Sequence, residues 1–266
     1  MKLAFIGGGN MGEAILASVL KTGLCTPADI RAGDIIEERR EYLAGKYGVG
    51  VTGNSRDAVK GSDIVVLAVK PQNLPELMAG LNGCLEPEQL VVSIAAGVTI
   101  DTISRGLAHE RIVRVMPNTP AQVGYGMSGW TATPEVTGEQ REQVSAVLGA
   151  MGEEIYFDEE KYLDMVTAVS GSGPAYVFLM AESLVEAAKS IGLSSQDAEV
   201  LVSQTILGAA HLIRHSDKSP AELRRNVSSK SGTTERALRA FESGGFAGLV
   251  GRAVKAAYDR ARELGG

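Results

Sequence analysis

Three glycines near the start of the chain have the spacing of a dinucleotide-binding turn. Gly7, Gly9 and Gly12 follow the apolar run Leu3 to Ile6 and open a helical pattern. In such a turn the first glycine permits a tight bend, the second lets a pyrophosphate approach the backbone, and the third lets the helix pack close to the strand. The pattern therefore predicts dinucleotide binding, and a glycine-rich structural turn is the alternative.

Asp34 lies near the predicted end of the second strand, where an acid can bind the ribose 2′-hydroxyl of NAD and repel the 2′-phosphate of NADP. This position favours NADH, with a solvated acid at a strand end as the alternative interpretation. Arg39 and Arg40 follow on the next predicted helix, so NADH and NADPH both stay open as cofactors. The sequence contains no GxxxxGK[ST] pattern, which excludes a P-loop.

A second stretch, residues 227–238, gathers hydroxyl groups and a glycine directly before a predicted helix. Its sequence, VSSKSGTTERAL, has too little apolar content for a core segment. Backbone N–H groups at a helix N-terminus favour an anion. We expect a small carboxylate there, and a capping cluster without a ligand is the alternative.

Two other chemistries receive little support from the sequence. His211 and His215 have a spacing that can bind a metal, but no third ligand lies near them in sequence, so no metal site is predicted. Ser170 and Ser172 lie in SGSGPA, but neither has glycines two residues before and two residues after it, as GxSxG requires, which disfavours a serine hydrolase.

The elements that must position these residues alternate between strand and helix patterns over the first half of the chain. Predicted strands cover Leu3 to Ile6, Ile30 to Ala32, Ile64 to Val69, Leu90 to Ala95, Ile112 to Met116, GMSGWTA and EEIYF, with helices over Met11 to Leu20, over Glu37 to Lys46 and from a capping box at Thr137. Several strands are continuously apolar, as expected when helices cover both faces of a parallel sheet. We predict an α/β Rossmann domain with a doubly wound, mostly parallel sheet over residues 1–158.

From about Glu159 the strand pattern disappears, which predicts an all-α domain over residues 159–266. Helix starts are expected at Pro174, after Ser194 and after Ser219. The first two helices are apolar around most of their circumference, more than one face against a small domain needs. We therefore expect them to pack against another subunit.

The composition and the length of the apolar runs bear on the partners of the protein and on the compartment in which we expect it. The net charge is −6 and no basic block is present, so we expect no nucleic-acid partner. No apolar run approaches the roughly 18 to 20 residues that span a bilayer, and glycines interrupt the N-terminal run too early for a signal peptide. Cys25 and Cys84 form no CxxC pair, which favours reduced thiols and a cytoplasmic protein without membrane association.

Several stretches taken together resemble pyrroline-5-carboxylate reductase over nearly the whole chain. They are GGGNMGEAIL, LAVKPQ, SIAAGVT, RVMPNTP, AVSGSGPAYVF, QTILGAA, PAELRRNVSSKSGTTERAL and ESGGF. SGSGPAY followed by a Ser/Gly/Thr/Thr loop is the most specific of these features. The resemblance implies a cytosolic oxidoreductase that uses NADPH or NADH to reduce 1-pyrroline-5-carboxylate to L-proline, the last step of proline biosynthesis. It also implies a helical dimerisation domain that interleaves with its twin in a homodimer, often assembled into a homodecamer.

The resemblance also implies roles for individual residues. For the substrate these are Ser229, Gly232 and Thr233 on the carboxylate, Thr234 facing the imine nitrogen as the candidate catalytic residue, and Ser172 and Gly173 in the floor of the site. For the cofactor they are Gly7, Gly9, Asn10, Met11, Gly12 and Asp34, with Ala68, Val69, Lys70, Pro71, Ala95, Ala96, Gly97 and Asn118 at the nicotinamide half. The chain departs from the family's usual SPGGTT at Lys230 and Ser231. Losing proline frees φ and losing glycine disfavours a turn with positive φ, which affects the rigidity of the loop.

The implied reaction is a hydride transfer from C4 of the nicotinamide to the C=N carbon. An iminium carries its own positive charge, so the Thr234 hydroxyl or a water can supply the proton. One alternative is a β-hydroxyacid-type dehydrogenase, but that class needs a lysine on the helix after SGSGPA, where none precedes Lys189. The other is a non-catalytic NAD(H)-binding partner or redox sensor, against which the filled substrate loop argues.

Overall fold

The computed structural model describes residues 1–265 and contains an eight-stranded sheet in the first part of the chain. The strands are β1 Leu3–Ile6, β2 Ile30–Gly33, β3 Gly50–Thr52, β4 Ile64–Leu67, β5 Leu90–Ser93, β6 Ile112–Met116, β7 Gly126–Ala132 and β8 Gly152–Tyr156. Their order is β3-β2-β1-β4-β5-β6-β7-β8, and every neighbouring pair is parallel except β6 with β7. The predicted doubly wound, mostly parallel sheet is confirmed, whereas the short strand β3 was not predicted.

The helices include those predicted to start after the capping residues Thr137, Ser194 and Ser219. They are α1 Asn10–Lys21, α2 Glu37–Tyr47, α3 Ser55–Val59, α4 Leu74–Leu81, α5 Ile100–Leu107, α6 Gly138–Gly149, α7 Tyr162–Val166, α8 Gly173–Ser190, α9 Ser195–His215, α10 Pro220–Asn226, α11 Thr233–Ser243 and α12 Phe246–Leu264. The side chains of Thr137, Ser194 and Ser219 each accept a hydrogen bond from the backbone N–H three residues on. These bonds satisfy donors that a helix start leaves without an intrahelical partner.

The continuously apolar strands are explained by two cores, one on each face of the sheet. Leu3 and Phe5 of β1 belong to the core that includes Trp130. Ala4 and Ile6 of the same strand belong to the core that includes Ile103. Because successive strand residues point to opposite faces, a strand covered on both sides must be apolar throughout.

The chain divides into two compact units, Met1–Ser172 together with the end of the chain from Ala257, and Gly173–Ala256. The predicted boundary at residues 158 and 159 lies just after β8, the last strand of the sheet. The segment after β8 stays in the first unit because Arg114 of β6, which is buried, pairs with Glu160 at 2.7 Å and with Asp164 at 3.7 Å. The two domain ranges stay a prediction.

The second unit leaves much apolar surface uncovered by its own chain. On α8, Phe178 and Leu179 are 64% and 63% exposed, and on α9, Val200 and Leu212 are 62% and 60% exposed. Side chains of this kind do not normally form contiguous exposed faces on monomers. Within residues 1–265 no helix has the length and apolar character to cross a bilayer. Cys25 and Cys84 are both free thiols.

Candidate functional site

The predicted cofactor residues lie at the carboxyl edge of the parallel strands. Residues 7–12 follow β1, residues 68–71 follow β4, residues 95–97 follow β5 and Asn118 follows β6. The sheet order makes β1, β4, β5 and β6 consecutive neighbours, and chain order reverses between β1 and β4. Ligands of open α/β sheets bind in the crevice at such a switch point. The structure therefore gathers these four segments at one edge, as a dinucleotide site requires.

The glycines of the first turn occupy positions that other residues would not fit. Gly7 has a φ of +101°, and a Cβ there would lie 2.7 Å from the carbonyl oxygen of Ala68. A Cβ on Gly12 would collide with the backbone oxygen of Gly7 and lie 3.2 Å from the Ala68 side chain. The steric roles expected of the first and third glycine are thus visible in the backbone.

Gly9 differs because the space beside it is open. No atom lies within 4 Å of the place where its Cβ would be, and Gly9 is the exposed N-cap of α1 without a side-chain cap. The next residues, Asn10 and Met11, form the first turn of α1, whose N–H groups have no intrahelical partner. An open cradle lined by backbone donors at a helix N-terminus fits a pyrophosphate.

The side chain of Asp34 holds the glycine turn from the end of β2. Its Oδ2 accepts a hydrogen bond from the N–H of Gly8 at 2.7 Å, and its Oδ1 accepts one from Ile36 at 2.9 Å. Asp34 is half-buried, so it is more than a solvated acid at a strand end. The sequence motif did not indicate these bonds, since Gly8 and Asp34 are distant in sequence.

Sequence reasoning also missed Glu13, which is the centre of a polar cluster beside the turn. Its carboxylate accepts hydrogen bonds from Tyr47 at 2.7 Å, Lys46 at 3.0 Å and Tyr42 at 3.1 Å, and it pairs with Arg39. Burial raises the pKa of Glu13, but the bonds from Tyr47, Arg39, Lys46 and Tyr42 outweigh it and lower the pKa to about 2. The helical spacing of residues 39, 42 and 46 on α2 was the signal that could have indicated one shared face.

The segments predicted for the nicotinamide half differ in exposure. After β4, Ala68 and Val69 are half-buried, and Lys70 and Pro71 are exposed; after β5, Ala95 is buried, and Ala96 and Gly97 are half-buried. Gly97 has a φ of +72°, and a Cβ there would lie 2.6 Å from the Leu264 side chain. The last turn of α12 thus packs on this segment, a contact that the sequence did not predict.

Asn118 is a bridging residue whose side chain bonds to two other segments of the chain. Its Nδ2 donates to the carbonyl oxygen and hydroxyl of Ser170 at 3.3 and 3.2 Å, and its Oδ1 accepts from the N–H of Met127 at 2.9 Å. Ser170 lies in a π-helical turn, Thr167–Gly171. Such turns are frequent at functional sites. Asn118 therefore fixes the position of Ser170 relative to the strand edge.

The predicted floor residues lie where the two compact units meet in sequence. Ser172 follows the π-helical turn and donates its backbone N–H to Thr167 at 2.8 Å. Gly173 is the first residue of α8. Their role in the floor of the site stays a prediction.

The predicted carboxylate residues gather at the start of α11. Gly232 is the N-cap in extended conformation, and Thr233 and Thr234 begin the helix. The N–H of Gly232 donates to the carbonyl of Ser229 at 3.0 Å, and a Cβ on Gly232 would collide with the Ser229 hydroxyl. Hydroxyl groups and helix-start N–H groups are thus within one loop, in agreement with an anion site.

Glu235 shows that a carboxylate can occupy part of this loop. Its Oε2 accepts a hydrogen bond from the N–H of Ser231 at 2.5 Å, and its Oε1 accepts one from Arg239 at 2.7 Å. These bonds lower the pKa of Glu235. Ser231 has a φ of +61°, the left-handed region that favours glycine, in agreement with the glycine that the resemblance implies at this position.

The described residues include no cluster of three or more side chains suited to a metal. His211 and His215 stack with ring centroids 5.8 Å apart and acquire no third ligand of this kind. The local geometry thus offers a dinucleotide edge and an anion loop.

The chain matches two family models, one over each part of its length. Residues 160–264 match the family model for pyrroline-5-carboxylate reductase dimerisation, and residues 2–97 match the model for NADP oxidoreductase, coenzyme F420-dependent. The pyrroline-5-carboxylate reductase of Pseudomonas aeruginosa is 43% identical and covers 99% of this chain and 96% of its own.

Two solved structures are similar over the whole chain. The structure of a pyrroline-5-carboxylate reductase from Coxiella burnetii has a TM-score of 0.93 at 38% identity, covering 100% of this chain and 98% of the other. That of Plasmodium falciparum pyrroline carboxylate reductase with NADP bound has a TM-score of 0.90 at 29% identity, with the same coverage of 100% and 98%.

Proposed function

The chain belongs to the pyrroline-5-carboxylate reductase family, and we propose that its two units divide the work of the reaction between them. The protein is an oxidoreductase of proline biosynthesis that reduces 1-pyrroline-5-carboxylate to L-proline with NAD(P)H. In the proposal the first unit binds the dinucleotide and the second unit binds the carboxylate of the imine. The observation that carries it is the gathering of four predicted segments at one sheet edge.

The first unit would hold the pyrophosphate on the open backbone at Gly9 and the first turn of α1, including Asn10 and Met11. Asp34 would face the adenosine ribose, where it is already positioned by its bonds to Gly8 and Ile36. The nicotinamide half would lie against the segments after β4 and β5 and near Asn118: Ala68, Val69, Lys70, Pro71, Ala95, Ala96 and Gly97. The buried strands β4 and β5 would then fix the position of the nicotinamide ring.

The second unit would bind the substrate carboxylate at the start of α11. Ser229, Gly232 and Thr233 would donate hydroxyl and backbone hydrogen bonds to it, with Ser172 and Gly173 forming the floor. An anion at this helix start is stabilised by the N–H groups that lack intrahelical partners. Binding the carboxylate in a defined place orients the C=N bond for reduction.

The reduced nicotinamide supplies the hydride for the C=N carbon. Thr234 would then act on the ring nitrogen, because its hydroxyl is one residue beyond the carboxylate donors at the helix start. A protonated imine already carries a positive charge, so the site needs a hydrogen-bonding group there and no strong acid. Thr234 would keep that proton on the nitrogen while the carbon is reduced.

We further propose a homodimer formed through the exposed apolar faces of α8 and α9, assembled further into a homodecamer. The support for the dimer is the exposed apolar surface of Phe178, Leu179, Val200 and Leu212 and the match to a dimerisation model. The free thiols Cys25 and Cys84 and the acidic net charge of −6 support a cytoplasmic protein without a nucleic-acid partner.

Replacing Thr234 with alanine tests the proposal. We expect NADH or NADPH absorbance to fall when the purified protein meets the cyclic imine, and Thr234→Ala to slow this turnover about 10- to 100-fold. Dinucleotide affinity should be unchanged, because Thr234 belongs to the substrate loop. Thr22→Ala, an exposed threonine after α1, is the control that should leave turnover unchanged.

No loss of absorbance with either cofactor would contradict the activity. An equal loss of turnover and dinucleotide affinity in Thr234→Ala would contradict the assigned role. Dinucleotide binding without any turnover would favour a redox sensor instead.

A further inference from the structure

The peptide of Gly8 is held from both sides by charged residues of the β2 end and α2. Asp34 accepts the N–H of Gly8 at 2.7 Å, and the Nε of Arg39 donates to the Gly8 carbonyl oxygen. Gly8 itself has little room for a side chain, since a Cβ would lie 2.5 Å from the Leu43 side chain, with Asp34 and Arg39 in contact at 3.4 and 3.5 Å. An acid and a guanidinium are therefore both next to the turn that the dinucleotide would approach.

The guanidinium of Arg39 forms an ion pair with Glu13. Its Nη2 pairs with Oε2 of Glu13, and both side chains are largely buried, at 24% and 17% exposure. Tyr42 adds to the restraint because the Arg39 guanidinium carbon lies 4.8 Å from the centroid of its ring. Glu13 is in turn fixed by Tyr47 and Lys46. Since the pKa of Glu13 is about 2, its charge persists at any physiological pH.

The other groups near the end of β2 do not replace Arg39. The Nη1 of Arg40 donates to the backbone oxygen of Asp34 at 2.8 Å, and its guanidinium lies against Gly53. Ile35 and Ile36, 83% and 55% exposed, offer no hydrogen-bond donor from their side chains. Rossmann domains discriminate NAD from NADP at this strand end, through an acid on the ribose hydroxyl or an arginine on the 2′-phosphate.

We propose that Glu13 is a specificity-determining residue that favours NAD(H) over NADP(H) by holding Arg39 on the glycine turn. The inference rests on the proposed dinucleotide site and adds which of the two dinucleotides, NAD(H) or NADP(H), that site prefers. Asp34 is then the group that contacts the ribose of NAD(H). The 2′-phosphate of NADP(H) is repelled by Asp34, and no guanidinium compensates for this repulsion. Glu13 acts through Arg39 and is a positioning residue for specificity.

Calorimetric titration of the full chain with NAD⁺ and with NADP⁺, without imine, tests the proposal. The wild type should bind NAD⁺ at least about tenfold more tightly than NADP⁺. Glu13→Gln keeps the shape of the side chain but removes the charge that holds Arg39, so NADP⁺ affinity should rise about tenfold, the effect of one charge-assisted bond. NAD⁺ affinity should change by no more than about twofold, since its ribose meets Asp34.

Two further variants separate release of Arg39 from a general change in charge. Glu38→Gln removes the same charge from an exposed position on α2 and should leave the ratio of the two affinities unchanged. In Glu13→Gln combined with Arg39→Gln, the gain in NADP⁺ affinity should disappear. Arg39→Gln alone should leave NADP⁺ affinity unchanged, which keeps the proposal testable if Glu13→Gln does not fold.

The outcomes distinguish this inference from the proposed function. Equal or tighter binding of NADP⁺ by the wild type, an unchanged ratio in Glu13→Gln, or a large loss of NADP⁺ affinity in Arg39→Gln would overturn the inference and leave the reductase proposal intact. Binding of neither dinucleotide would overturn both.

Discussion

The two compact units differ in how much of their candidate site is built by their own backbone. In the first unit, buried strands and glycines that tolerate no side chain fix the edge where the dinucleotide would bind. In the second unit, long helices leave apolar faces exposed, and the loop before α11 contains a serine in a left-handed conformation. Under the proposed function, this contrast predicts that dinucleotide binding is complete within one chain, whereas the substrate half depends on a second copy.

A charge placed on the exposed apolar face of α9 should impair assembly and reductase activity, which depend on the second unit. It should leave dinucleotide binding by the first unit intact. Leu201 on α9 is 53% exposed, and Leu201→Asp would place a carboxylate in the proposed subunit interface. A buried unpaired charge costs several kcal/mol, so we expect a monomer with reductase activity lowered at least about 100-fold. Dinucleotide affinity should be retained. Light scattering after gel filtration, the turnover assay and calorimetry would measure the three quantities.

The matched control is Glu199→Gln, two residues away on the same helix at an exposed position, which should remain dimeric and active. An active, dimeric Leu201→Asp protein would place the interface elsewhere. A variant that loses dinucleotide binding together with assembly would mean that the first unit is not self-sufficient, and the contrast between the units would fail.

Two glycines of the first turn should respond in opposite ways to the same substitution. A Cβ on Gly12 would collide with the Gly7 backbone, so Gly12→Ala should lower the free energy of unfolding by roughly 1 to 3 kcal/mol. The space beside Gly9 is open, so Gly9→Ala should keep its stability but weaken dinucleotide binding, by about tenfold or more, because its methyl group enters the phosphate cradle. Thermal unfolding and calorimetry separate the two effects.

Gly45→Ala supplies the control, because Gly45 lies inside α2 with no atom near its Cβ position. It should stabilise the helix by about 0.5 to 1 kcal/mol without changing dinucleotide affinity. Unchanged affinity in Gly9→Ala would show that the phosphates bind elsewhere.

The sequence predicted the features that local residue patterns determine, which are the strands and several helix starts. Continuous apolar runs located the strands, and the capping residues Thr137, Ser194 and Ser219 located helix starts. The contacts of Asp34 with Gly8 and of Asn118 with Ser170 could not be predicted, because they join segments that only the completed fold brings together. The end of the strand pattern placed the predicted domain boundary, and the ion pairs of Arg114 with the segment that follows could not be predicted from composition.

The Glu13 cluster offers a test of how far the first unit stabilises its own cofactor edge. The pKa of Glu13 is lowered from 4.5 to about 2, so its contribution to stability is present above about pH 4.5 and is lost as pH falls towards 2. We expect Glu13→Gln to be less stable at pH 7 by about 1 to 2 kcal/mol and to lose less stability between pH 5 and pH 2. Urea unfolding at several pH values measures both.

The exposed Glu38→Gln variant should match the wild type at every pH. If Glu13→Gln followed the wild-type pH curve, the cluster would contribute nothing to folding. Its hydrogen bonds would then matter only for the position of Arg39.

The smallest expected effect concerns Ser231, in the loop before α11 of the second unit. Ser231 has a φ of +61°, a conformation that costs a side-chain-bearing residue roughly 1 kcal/mol and costs glycine almost nothing. Part of this gain is lost because glycine makes the unfolded chain more flexible. We therefore expect Ser231→Gly to raise the free energy of unfolding by about 0.5 kcal/mol or less, measured by urea titration.

Ser228→Gly is the matched control in the same loop. Ser228 is not among the positive-φ residues, and its hydroxyl donates to the Arg224 carbonyl at 2.7 Å, so glycine there should destabilise by about 0.5 to 1 kcal/mol. Opposite signs at two serines of one loop would show that the backbone geometry, and not the loss of a hydroxyl, decides the outcome. Equal losses would mean that the loop changes conformation when a second copy covers it, so that even the local shape of the substrate half depends on assembly.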